Sequence, residues 1–358
     1  MTYSINLSSL NGSNGFRLDG VAEGDSSGQS VSNAGDVNGD GFDDLIVGAA
    51  GADPNGNRVA GSSYVVFGKA SGFSATMDLS SLDGSNGFRL DGEAAVDYLG
   101  YSVSSAGDVN GDGFDDLIVG APGPFPSPPE DGYATSGSSY VVFGQASGFS
   151  ATMNLSSLDG SNGFRLDGEM SRGYSGSPVR VSTAGDVNGD GFDDVIVGTG
   201  YYAALNRYNS SSSYVVFGQA SGFSAAMDLS SLDGSNGFRL DGVAASDFSG
   251  ISVSTAGDVN RDGFDDLIVG AGGADPNGGF SGSSYVVFGK ASGFSAAMNL
   301  SSLDGSNGFR LDGAEGDWSG WSVSNAGDVN GDGFDDLIVG AFGANSNGIA
   351  SGSSYVVV

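Results

Sequence analysis

The 358-residue chain has no cysteine and no histidine, which excludes disulfides, thiolate metal sites, cysteine nucleophiles, histidine-based triads and the commonest zinc ligand. Basic residues are scarce too. Twelve Lys and Arg stand against 43 Asp and Glu, a formal net charge of −31 that opposes nucleic acid and anionic membrane surfaces as partners. Long apolar runs are missing; the longest resemble Leu45 to Val47, far short of a membrane span, so no membrane insertion is expected. The N-terminal Met-Thr-Tyr-Ser-Ile-Asn-Leu has no basic region followed by an apolar stretch, so no targeting segment is visible. Glycine reaches 65 residues, yet the 39% hydrophobic residues fall in short, regularly placed runs, which reads as turn-rich all-β structure and not as disorder.

Repetition dominates what is present. The run Asp-Val-Asn-Gly-Asp-Gly-Phe-Asp-Asp recurs five times at intervals of about 72 residues, starting at Asp36, Asp108, Asp186, Asp258 and Asp328, with Arg261 replacing the first Gly in the fourth copy. Oxygen donors at alternating places suit a tightly curled loop around one hard cation, and the glycine at position 6 supplies the φ > 0 corner between them. The predicted ligands are Asp36, Asn38, Asp40, the Phe42 carbonyl and Asp44, the last able to bind through both oxygens. The same places in the other copies are Asp108, Asn110, Asp112, Phe114 and Asp116; Asp186, Asn188, Asp190, Phe192 and Asp194; Asp258, Asn260, Asp262, Phe264 and Asp266; and Asp328, Asn330, Asp332, Phe334 and Asp336. Plain Asp-Gly turns need no such donor set, so about five structural Ca²⁺ per chain are expected. Five divalent ions would bring the formal charge from −31 to −21. Position 8, Asp43 and its equivalents, is expected to lie outside the ligand shell or to face solvent.

Each unit carries four β-like pieces, in the first copy Ser30 to Asn33, Asp44 to Gly48, Ser63 to Phe67 and Gly87 to Asp91, with the Asp-rich loop joining the first two. The apolar Asp-Leu-Ile-Val-Gly and the β-branched, aromatic Ser-Tyr-Val-Val-Phe-Gly pieces predict central strands. The Leu-Ser-Ser-Leu segment before the fourth piece is compatible with a helical turn capped by Asp78 or with an extra edge strand. Four-stranded units that cannot cover their own faces predict a β-propeller of antiparallel blades. Residues 1–20 match the end of a unit and 314–358 its first three pieces, so five blades are expected as one domain: 21–92, 93–168, 169–242, 243–313, and 314–358 completed by 1–20. A single closed chain, hence a monomer, is the expectation, with a neighbour's last blade the other possible acceptor of the N-terminal strand.

The Asp-x-Asn-x-Asp-Gly-x-Asp-Asp loop, the following Leu45 to Ala49 and the strand Gly100-Tyr101-Ser102-Val103-Ser104 resemble the FG-GAP repeats of integrin α-subunit propellers and of bacterial surface proteins, across essentially the whole chain. The resemblance implies calcium on the lower face and recognition by the upper-face loops, those between strands two and three and between blades. Five near-identical units, each with a loop, depart from the seven-bladed integrin pattern. The third copy has Val195, Thr199 and a longer lead-in at Ser177-Pro178-Val179-Arg180, and Arg261 occupies a position expected to need a left-handed backbone, which predicts a weaker fourth site.

The stretch Leu-Ser-Ser-Leu-Asp-Gly-Ser-Asn-Gly-Phe-Arg-Leu-Asp-Gly is identical in four copies, whereas the segment before strand one and the strand two-to-three connection vary. All five Glu (Glu23, Glu93, Glu130, Glu169 and Glu315) fall in these variable segments, beside Tyr98, Tyr101, Tyr174, Tyr201, Tyr202, Tyr208, Phe248, Trp318 and Trp321. Such a face reads as a recognition surface or as loops that drifted after duplication. Pro122 to Pro129 reads as a rigid loop, and Arg17, Arg89, Arg165, Arg239 and Arg310 as partners of nearby acids. The expected function is an extracellular or cell-surface adhesion module for a protein or glycan, without enzymatic activity. A ligand-free structural or engineered scaffold is the alternative, and a glycosidase-type propeller with paired carboxylates is disfavoured by the equivalence of the repeated acids.

Overall fold

Short β-branched runs bounded by glycine form short antiparallel strands, as pattern and turn chemistry require. The computed structural model describes residues 4–123, 137–146, 148–168, 180–199 and 211–358. The strands of the N-terminal part are β1 (Arg17–Asp19), β2 (Ser30–Gly35), β3 (Asp44–Ala49), β4 (Ser62–Val66), β5 (Thr76–Asp78) and β6 (Gly87–Asp91). The second unit supplies β7 (Ser102–Gly107), β8 (Asp116–Ala121), β9 (Ser138–Val142), β10 (Thr152–Asn154) and β11 (Gly163–Asp167). The third supplies β12 (Arg180–Gly185), β13 (Asp194–Gly198), β14 (Ser212–Val216), β15 (Ala226–Asp228) and β16 (Gly237–Asp241). The fourth supplies β17 (Ser252–Gly257), β18 (Asp266–Ala271), β19 (Ser283–Val287), β20 (Ala297–Asn299) and β21 (Gly308–Asp312), and the fifth β22 (Ser322–Gly327), β23 (Asp336–Ala341) and β24 (Ser353–Val357).

The four expected pieces of the first unit are β2, β3, β4 and β6, hydrogen-bonded in that order as an antiparallel sheet. The segment read two ways in the sequence takes both forms. Thr76–Asp78 is a three-residue strand, and Leu79–Ser81 is a 3₁₀ turn whose Asp78 side chain accepts from the Ser80 amide. That short strand pairs in parallel with the fourth strand of the preceding unit: β10 with β6, β15 with β11, β20 with β16, and β5 with β1. The first four units are thereby stitched at the outer edge to the strand that precedes them, and among the described residues the fifth is not. A register shift at the end of each first strand, between Asn33 and Gly35 in the first unit, bends the chain into the Asp-rich loop, and the third unit follows the same register despite its altered lead-in.

The core lies between sheets. Ile46, Val65 and Phe88 of the first unit pack on Val103, Leu117, Val119, Tyr140 and Val142 of the second, and equivalent clusters fill the next junctions. Each sheet therefore buries one face against its predecessor and the other against its successor. The two ends of the array expose what the interior buries: Val31 is 65% exposed where Val103 is 5%, and Val356 is 50% exposed where Val65 is fully buried. The expected completion of the last sheet by the N-terminal strand is not among the pairings: β22, β23 and β24 form a three-stranded sheet, and β1 pairs with β5. The five arginines bind the aspartate two residues on, on the same strand face, as in Arg17–Asp19 at 2.6 Å and Arg239–Asp241 at 2.7 Å.

The Asp-rich loops and the opposite loop face

The five loops share one hydrogen-bonded form. In the first, Asp36 Oδ1 accepts from the Asp40 amide at 3.0 Å and Oδ2 from the Gly41 amide at 2.8 Å, while Asn38 Oδ1 accepts from the same Asp40 amide at 2.9 Å. Asp40 Oδ1 then accepts from the Phe42 amide at 3.0 Å. Donors 1 and 3 thus meet on one backbone N–H, because Gly41 turns the chain at φ +87°. The same bonds recur at Asp108, Asp186, Asp258 and Asp328. Position 4 is left-handed in every loop, and Arg261 adopts φ +59° where the others have glycine, as the sequence led us to expect.

Position 9 sits apart from this mouth, at the buried base of the loop. Asp44 accepts from the Val37 and Gly68 amides at 3.1 and 2.8 Å, and Asp116, Asp194 and Asp266 do the same with their own equivalents. In the fifth loop Asp336 accepts from Val329, while its Oδ1 is buried without a partner among the described residues. Burial pushes the carboxyl of Asp44 up to about 7, Asp116 to about 8, Asp194 to about 8 and Asp266 to about 7, with the loop's own charges at positions 1 and 5 adding to the push. A buried acid raised by like charges is what a bound cation would relieve. Among the described residues, no group of three or more Asp or Glu is drawn together at metal-binding spacing. The donor set fits a hard divalent ion in kind: three carboxylates, one amide oxygen and a main-chain carbonyl on a glycine-turned loop. In this structure those side chains instead close the loop on its own amides.

Position 8, expected outside the ligand shell or facing solvent, takes both places: Asp43 is exposed, and its equivalents reach the preceding unit, a partner the sequence did not reveal. Asp115 Oδ2 accepts the amide of Asp36 in the preceding unit at 2.8 Å, and Asp193, Asp265 and Asp335 accept those of Asp108, Asp186 and Asp258 at 2.8, 2.9 and 3.0 Å. At these four junctions it is half-buried and serves the loop of the preceding unit. The signal that could have located it is the glycine before each loop. A Cβ on Gly35 would sit 2.3 Å from Asp115 Oδ2, and one on Gly107 would sit 2.2 Å from Asp193 Oδ2. Phe114, Phe192 and Phe264 similarly cover Gly39, Gly111 and Gly189 of the preceding loop.

Antiparallel pairing puts the variable segments at the other end of the sheets: Asp44 faces Gly35 beside the loop, whereas Ala49 faces Ser62 at the far end. There, Asp25, Asp97, Asp247 and Asp317 each accept an amide three residues back, and the next residue, Ser26, Tyr98, Phe248 or Trp318, has positive φ. Phe248, Trp318 and Trp321 come together, as their clustering in the variable segments suggested, and Phe280 and Phe342 join them; Phe280 stacks on Trp318 at 4.3 Å. Glu93 accepts from the Tyr140 hydroxyl at 3.2 Å, and the Arg180 guanidinium lies over the Tyr101 ring. Glu130, Glu169, Tyr174, Tyr201, Tyr202, Tyr208, most of the third lead-in (177–179) and most of the Pro122 to Pro129 run lie outside the described residues.

The FG-GAP repeat family matches residues 27–66, 99–142, 178–216, 249–287 and 319–357, more than half of the chain. The chain is similar to integrin alpha-V of Gallus gallus, 29% identical over 262 residues that make up 70% of this chain and 20% of that protein. It is 30% identical to integrin alpha-5 of Xenopus laevis over 245 residues, 67% of this chain and 19% of the relative. Integrin alpha-IIb of Mus musculus is 32% identical over 189 residues, 51% of this chain and 16% of the relative. The chain spans about a fifth or less of the length of these relatives.

Proposed function

The chain belongs to the FG-GAP repeat family, and from that premise we propose that it is a calcium-stabilised, integrin-like binding module acting outside the cell or at its surface. The observation that carries this is the fivefold recurrence of one oxygen-donor loop with a buried carboxylate at its base. Asp at positions 1, 5 and 9, Asn at position 3 and the carbonyl at position 7 would hold the ion. Calcium supplies the positive charge that lets these carboxylates crowd at the turn, and it stabilises the folded chain by mass action. Affinities of extracellular calcium modules, on the order of 10⁻⁴ to 10⁻³ M, suit that location. Recognition of a protein or glycan falls to the opposite face, where the variable, aromatic and acidic loops ride on a rigid scaffold. No enzymatic role is assigned, since the repeated acids sit in equivalent environments.

The architecture that goes with this function is a five-bladed ring whose last blade is completed by the N-terminal segment. Three observations support it. Among the described residues no strand pairs with the outer edge of β24, and β1 relates to β5 as β6 relates to β10. A cavity of about 360 Å³ lined by Leu311, Val339, Tyr355 and Val357 also occupies the place that Leu79 fills against Val47, Tyr64 and Val66 in the first unit, while Leu7, the counterpart of Leu79 in the N-terminal Leu-Ser-Ser-Leu, is exposed.

Calorimetric titration of chelator-stripped protein with calcium tests the function. About five ions per chain are expected; no binding would remove the physical basis for it.

A further inference from the structure

The bond between neighbouring loops has a consequence for how they bind ions. Asp36, Asp108, Asp186 and Asp258 are first donors of their own loops, and the backbone amide of each is held by a carboxylate of the next unit at 2.8 to 3.0 Å. That carboxylate sits between two predicted ligands of its own loop, the carbonyl at position 7 and the buried aspartate at position 9. Its close approach depends on the preceding loop's glycine, which leaves no room for a Cβ. A second main-chain bond accompanies it at three junctions: the Asp115, Asp193 and Asp265 amides donate to the Asp36, Asp108 and Asp186 carbonyls at 3.3, 3.1 and 3.2 Å. The first donor of one loop is thus clamped on both sides of its Cα by the eighth residue of the next.

We propose that the position-8 aspartates Asp115, Asp193, Asp265 and Asp335 are positioning residues for the calcium loop of the preceding unit, and that ion binding in adjacent loops is coupled through them. This rests on the calcium function proposed above. An ion in the third loop fixes Phe192 and Asp194, and with them Asp193 between them. Asp193 in turn holds Asp108 in the orientation from which its carboxylate meets an ion in the second loop. Coupling of binding free energies is reciprocal, so filling the second loop favours the third equally.

The test is calcium titration of the full-length chain carrying Asp193→Ala or Asp193→Asn, in three backgrounds: otherwise unchanged, with the second loop disabled by Asp112→Ala, and with the third disabled by Asp190→Ala. A charge-assisted hydrogen bond makes the expected loss on the order of tenfold in calcium affinity at one site for the alanine variant. The asparagine variant, which keeps an acceptor oxygen, loses less and serves where the alanine variant does not fold. The effect is expected to vanish when the second loop is disabled and to persist when the third is disabled. Faster hydrogen exchange of the Asp108 amide in calcium-free protein is the independent readout. An effect that vanishes with the third loop instead, or unchanged affinities in a chain that binds calcium, overturns the proposal; a chain that binds no calcium overturns the function beneath it.

Discussion

The Arg261 guanidinium lies over the Phe334 ring, 4.4 Å from its centroid, and its Nε donates to the Gly333 carbonyl. Elsewhere this junction pairs a phenylalanine with a bare glycine. The arginine therefore exchanges a left-handed backbone strain of about 1–2 kcal/mol for a cation–π contact of about 0.5–1 kcal/mol. Arg261→Gly should leave stability within about 1 kcal/mol of the parent, since strain and contact are lost together. Arg261→Ala keeps the strain and loses the contact, and should be less stable than the glycine variant by about 1 kcal/mol in urea unfolding. Equal stabilities would mean that the φ +59° backbone carries no strain.

Stability without calcium should fall as pH rises. The folded-state acidities of Asp116 and Asp194 lie near 8 and those of Asp44 and Asp266 near 7, against about 3.9 for an unfolded aspartate. Between roughly pH 4 and 8 the folded chain binds more protons than the unfolded one, so the slope of unfolding free energy with pH is negative there. Calcium bound at these loops would displace those protons. Its apparent affinity should rise from pH 5.5 to 8, and titration at pH 6.5 in buffers of different ionisation enthalpy should show proton release. Proton-neutral binding would show that these carboxyls are already ionised.

Closure is testable with disulfides because the chain has no cysteine of its own. In the first unit Ser63 faces Leu90 across β4 and β6; by the repeat, Ser354 would face Leu18. Ser354→Cys with Leu18→Cys should oxidise within one chain, and Ser354→Cys with Asp19→Cys, one residue out of register, should not. Covalent dimers alone would place the N-terminal strand in a neighbour's last blade, and absence of any bond would leave the array open.

The strands were legible because each is a short β-branched run between glycines, and the repeat multiplied that signal by five. The Asp-rich loop was equally plain, since its donors are local in sequence. Asp193 was not. Its partner, the Asp108 amide, lies 85 residues away, and a backbone N–H leaves no mark on side-chain pattern. Only the glycine that makes room for it, Gly107, carries a trace, and glycine before a loop has a nearer explanation in the bend itself. Thr76–Asp78 was ambiguous for a related reason, because its pairing partner belongs to the preceding unit. Arg89 and Asp91 could be paired from sequence because alternation along one strand brings residues two apart to the same face.

Every sheet presents two unlike faces, and the one turned toward its successor matches any sheet turned toward its predecessor. A unit inserted by duplication would therefore meet on both sides the surfaces its parent already fitted, with its loop clamped by the aspartate that follows and its short outer strand laid on the sheet before. Unit number can change by exchange of whole genetic segments with the sheet-to-sheet contacts kept, whereas the loops at the far end, which also meet across the junctions as Phe280 meets Trp318, diverge under the constraint of the neighbouring copy.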